Sequence, residues 1–142
     1  MLAAMKGKNM VSIGMARCEL GVEGAKVVAE TILGMALLTQ VDLSWNELRA
    51  EGAKVLALAI LNSGSLTSIN LSHNMISARA GKPIAKAIVG SSSLASIDLS
   101  ANDLGKEKGL FGRIVHTTKG SKTIAGAVRD RAKQSRGVQV LL

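Results

Sequence analysis

Aromatic side chains are nearly missing from this 142-residue chain, which has no tyrosine, one tryptophan (Trp45) and one phenylalanine (Phe111). A core organised around rings is therefore out of reach, and aliphatic side chains must fill the interior. The single cysteine, Cys18, excludes an internal disulfide, and at this length a core needs neither disulfide nor metal support. No apolar run approaches the length of a membrane span. Lys6, Lys8, Asn9, Ser12 and Arg17 interrupt the segment where a secretory leader would be continuously apolar. An intracellular, cytoplasmic location is the resulting expectation. The triplet Asn70-Leu71-Ser72 matches a glycosylation acceptor only by accident in that setting.

Catalytic groupings are missing as well. His73 and His116 are far apart, neither has a cysteine or carboxylate constellation, and no cluster of metal ligands occurs. The pairs Gly7-Lys8, Gly81-Lys82 and Gly105-Lys106 lack the rest of a phosphate-binding loop. No enzymatic activity, cofactor, metal or small-molecule substrate is expected.

What the chain does contain is a period of 28 residues. Leu38, Leu66 and Leu94 each open the frame Leu-x-x-(Val/Ile)-x-Leu-x-x-Asn-x-(Leu/Ile). Val41, Ile69 and Ile97 share a column, as do Leu43, Leu71 and Leu99, then Asn46, Asn74 and Asn102, then Leu48, Ile76 and Leu104. Met10, Ile13, Met15, Cys18 and Leu20 occupy the same columns one step earlier. Such self-similarity marks stacked units that share one continuous core. Val41-Leu43, Ile69-Leu71 and Ile97-Leu99 alternate with Asp42, Asn70 and Asp98, the period-two pattern of a strand with one wet face. Downstream, the spacing becomes helical: Ala25, Val28, Ala29, Ile32; then Ala53, Leu56, Ala57, Ile60; then Gly81, Ile84, Ala85, Ile88. Ala29, Ala57 and Ala85 let each helix lie close to the strand layer.

This frame resembles the leucine-rich repeat in its long, ribonuclease-inhibitor-like form. The resemblance implies an α/β fold: a right-handed solenoid, or short horseshoe, with parallel strands on the concave face and helices on the convex face. It also implies that the Asn column bonds to loop backbone and that Cys18 stands in the same column as a small core group. Residues 1–9 form a lead-in, residues 10–118 hold three regular units and a degenerate fourth, and residues 119–142 form a basic tail. The fourth unit departs from the frame at Lys108, Gly112, Arg113 and His116, which suits either a cap on the open end or an irregular tail.

Residues 106–142 hold nine basic groups against Glu107 and Asp130, which is +7 of the total +8, and a short helix is expected over 122–133. The repeats are nearly neutral, and their outward columns are acidic: Glu19, Asp42, Glu47, Asp98 and Asp103 face one Arg17. The expected function is an intracellular protein-interaction module, with Arg17, Gln40, Asp42, Ser44, Trp45, Glu47, Asn70, Ser72, His73, Asp98, Ser100 and Asp103 as the contact residues for a protein with a basic surface. Trp45 is the leading candidate, because packing does not require a Trp in an outward column. Two alternatives stand beside this reading. One is a GTPase-regulatory protein, since the family includes activators of a small GTPase. The other is an adaptor whose basic tail binds nucleic acid or anionic membrane, a reading weakened for single strands by the lack of stacking aromatics.

Overall fold

The computed structural model describes residues 11–104 and 139–141. Within them the repeat frame becomes four short strands, β1 (Ser12–Gly14), β2 (Gln40–Asp42), β3 (Ser68–Asn70) and β4 (Ser96–Asp98). They pair in parallel and in chain order, with Ile13 beside Val41, Val41 beside Ile69, and Ile69 beside Ile97. These four side chains are at most 4% exposed. A slip of one residue would turn all of them to solvent, so burial fixes the register.

A fifth strand, β5 (Gln139–Leu141), adds to the far edge in parallel, with Val140 beside Ile97. It arrives later in the chain than a 28-residue step would place it. Its effect is to pair the β4 edge, which would otherwise offer free backbone groups to another chain.

Helices α1 (Gly21–Gly34), α2 (Arg49–Asn62) and α3 (Gly81–Gly90) follow the first three strands. The stripes read from the sequence are the buried ones: Ala25, Val28, Ala29 and Ile32 on α1, Ala53, Leu56, Ala57 and Ile60 on α2, and Gly81, Ile84, Ala85 and Ile88 on α3. Gly52 marks a close approach between α1 and α2. A methyl group there would lie 3.1 Å from the Ala25 Cβ and 3.2 Å from the Leu48 Cβ. Helix α3 starts late, after a 3-10 segment at Ala78–Ala80. Pro83 has no N–H to give the carbonyl of Arg79, so the α-helical ladder cannot begin where it does in α2.

Three ladders of aliphatic side chains run through the layers: Leu38, Leu66, Leu94; then Leu43, Leu71, Leu99; then Leu48, Ile76, Leu104. All are 6% exposed or less. Each fully buried Leu or Ile contributes about 1.5–3 kcal/mol relative to exposure, and the ladder passes that stabilisation from one unit to the next. The lead-in over 1–9, the departures at Lys108, Gly112, Arg113 and His116, and the helix expected over 122–133 lie outside the described residues.

Candidate functional site

The outward surface is shaped by the loop that leaves each strand. Arg17, Trp45, His73 and Ala101 have φ between 53° and 60°, and Glu19, Glu47 and Met75 have φ between 52° and 55°. None is glycine, and the left-handed region costs such residues about 1–2 kcal/mol each. The alternation has a purpose visible in the hydrogen bonds. Placing residues 45 and 47 in that region turns the N–H groups of Asn46 and Leu48 toward one point, where both donate to Oδ1 of Asn74, at 2.8 and 3.4 Å. The same backbone nest recurs at Cys18 and Leu20, filled by Asn46, and at Asn74 and Ile76, filled by Asn102.

The amide nitrogens complete the joint. Nδ2 of Asn74 donates to the carbonyls of Leu43 in the preceding unit, at 2.8 Å, and of Ser72 in its own, at 3.0 Å. Asn46 and Asn102 do the same for Met15 and Leu71. The Asn column therefore joins successive units as well as closing its own loop. Cys18 differs. It is exposed, its thiol reaches only the Ala16 carbonyl at 3.5 Å, and the expectation of a core thiol is corrected. Among the described residues there is no earlier unit whose nest it would fill.

These loops hold the residues read as contacts in three different settings. Asp42, Asn70 and Asp98 are half-buried, and each Oδ1 accepts the N–H two residues on, from Ser44, Ser72 and Ser100 at 2.9–3.0 Å. They close turns as well as carrying charge. Ser44 and Ser72 are only 7% exposed, which removes their side chains from an accessible face, while Ser100 is half-buried. Gln40, Glu47 and Asp103 are exposed. Glu47 has Arg49 as a distant ionic neighbour at 3.9 Å, both side chains being well solvated.

The remaining three form one assembly. Trp45 and His73 stack with ring centroids 3.8 Å apart and planes 8° apart, and the Arg17 guanidinium lies 5.1 Å from the centroid of the Trp45 ring. The repeat puts them in one column, and the shared left-handed backbone aims all three side chains the same way. His73 packs on the indole rather than against a carboxylate. Trp45 keeps 48% of its surface exposed. Met75, 59% exposed, was not among the sequence-read contacts, although its column neighbour Glu47 was. A shallow depression joins it to Trp45, Glu47, His73, Ala101 and Asp103.

A family model described as leucine-rich repeat matches residues 35–57 and 63–85, which run from the turn before β2 into α2 and from the turn before β3 into α3. The fold is that of a leucine-rich-repeat solenoid. Its fold is similar to that of a solved structure of leiomodin-1 actin-binding site 2, with a TM-score of 0.74 and 14% identity over 99% of this chain and 75% of that one. It is also similar to the tropomodulin C-terminal domain of Caenorhabditis elegans, with a TM-score of 0.71 and 11% identity over 99% and 79% of the two chains. A search of curated protein sequences gave no match. At these identities the likeness establishes the leucine-rich-repeat architecture, parallel strands on one side and helices on the other.

Proposed function

We propose that this leucine-rich-repeat chain is an intracellular protein-interaction module of the 28-residue, ribonuclease-inhibitor-like class, and that it binds a basic protein through its strand face and the adjoining rim. The observation that carries the reading is the Arg17–Trp45–His73 stack, a part-exposed aromatic assembly outside the core of a chain otherwise almost free of aromatics. Large aromatics of this kind dominate binding energy at protein interfaces. Glu47 and Asp103 line the depression beside it, and Glu19, Asp42 and Asp98 add negative charge in the outward columns, which favours a basic partner and repels phosphate backbones. Leiomodin-1 offers a precedent for a protein occupant of this architecture, since its matched structure is an actin-binding site.

The test is calorimetry of the intact chain with proteins it captures, repeated with Trp45→Ala and with the tail pair Arg129→Glu and Arg131→Glu. Loss of affinity in the Trp45 variant, with the tail variant unaffected, supports the reading. Loss confined to the tail variant transfers function to the basic segment.

A further inference from the structure

The column that carries Arg17, Trp45 and His73 has a fourth member, Ala101, which shares their left-handed backbone. Three layers present a planar cation or a ring, and the fourth presents a methyl group. His73 has one face on Trp45; ladder order turns the other toward the Ala101 layer. That is where the depression lined by Trp45, Glu47, His73, Met75, Ala101 and Asp103 opens. Neighbouring strands are about 4.8 Å apart, so the missing layer is one flat side chain thick.

We propose that this gap receives an arginine side chain of the protein partner, its guanidinium stacked on His73 and paired with Asp103. The inference rests on the strand-face reading above and makes it specific. The chain itself supplies the pattern, because Arg17 closes the opposite end of the same stack over Trp45. Asp103, in the same layer as Ala101, forms no ion pair among the described residues. Met75 gives an apolar wall for the aliphatic stem of the incoming residue. Arginine is favoured over lysine because a plane that stacks on His73 and forks to the Asp103 carboxylate fits the gap, whereas an ammonium is a hydrated point charge.

The test uses the full chain and three blocked tripeptides, acetyl-Gly-Arg-Gly-amide and its lysine and citrulline counterparts. Binding is read from the NMR shifts of the Ala101 methyl and the His73 ring, and from the fluorescence of Trp45, the only tryptophan. The arginine peptide should move all three signals and bind roughly tenfold more tightly than the other two. Ala101→Arg should fill the gap from within and reduce peptide binding at least about tenfold, with an unchanged circular-dichroism melt, since Arg17 shows that the column accepts arginine at φ 56°. No response, equal response to the three peptides, or undiminished binding by the Ala101→Arg variant overturns the proposal. Against a basic protein partner the two readings separate. If Asp42→Asn with Asp98→Asn weakens binding while Ala101→Arg does not, the arginine gap fails and the strand face stands. If neither does, the strand face fails.

Discussion

The imidazole of His73 lies flat against the indole of Trp45, with centroids 3.8 Å apart and 8° between the planes, although 28 residues separate them in the chain. Two parallel strands in register place the residues side by side, and the same left-handed backbone at each points the rings alike. Stacked pairs of this kind contribute about 0.5–1.5 kcal/mol beyond buried area.

Trp45→Ala removes the centre of the stack and leaves Arg17 and His73 without a shared surface. Affinity for a protein partner should fall by about 2 kcal/mol or more, measured by calorimetry on a variant whose circular dichroism is unchanged. Unaltered affinity would place the interface elsewhere.

Asp42→Asn combined with Asp98→Asn separates charge from structure. Asn70 already closes the corresponding turn in its own unit, accepting the Ser72 N–H at 3.0 Å, so the melting temperature should hold. Association with a basic partner should slow, most strongly at low salt, with little change in dissociation. Stopped-flow kinetics at two ionic strengths checks this.

Asn74→Ala leaves the N–H groups of Asn46 and Leu48 without their acceptor, while the carbonyls of Leu43 and Ser72 keep the Asn46 amide and the Trp45 N–H as donors. Each buried orphan costs about 1–3 kcal/mol, so denaturant titration should show a loss of at least about 2 kcal/mol. Asn74→Asp keeps the acceptor and deletes the two donors; it should also destabilise, which distinguishes the inter-unit joint from a role in binding.

Leu71→Ala opens a cavity between Leu43 and Leu99, all three side chains being 1% exposed or less. The expected loss is about 2–5 kcal/mol, enough to unfold a solenoid of so few units. An unchanged melting curve would contradict the register.

Gly52→Val forces side-chain atoms into Ala25 and Leu48 and should cost about 1–3 kcal/mol. Gly64→Ala meets no atom within 4 Å and serves as the matched control. Thermal melts of the pair test whether close approach of α1 and α2 is the reason for glycine.

The strands, the helix stripes and the Asn column were all legible in the sequence because each follows from a local period repeated in several units. Ile69, Ala57 and Asn74 are buried for reasons that their neighbours in the column share. The contact face was less legible. Ser44 and Ser72 occupy outward columns by strand alternation, yet alternation ends where the loop begins, and the turn draws both inward. Cys18 has the column of Asn46 without its neighbours, so position in the frame misjudged its exposure. Ala101 and Met75 became meaningful only beside His73, although their shared columns with Trp45 and Glu47 were the available signal.

Sequence by itself determined the unit, its length, its inward and outward sides and the order in which units stack, because hydrophobic burial and backbone periodicity are local properties that repetition multiplies. Only the tertiary structure decided three things. It converted Asn side chains into joints between successive units, closed the β4 edge with Gln139–Leu141, and brought Arg17, Trp45 and His73 into one stack. All three depend on where separate segments meet and on the sign of φ in the loops, and neither is set by the hydrophobic pattern that reveals the repeat.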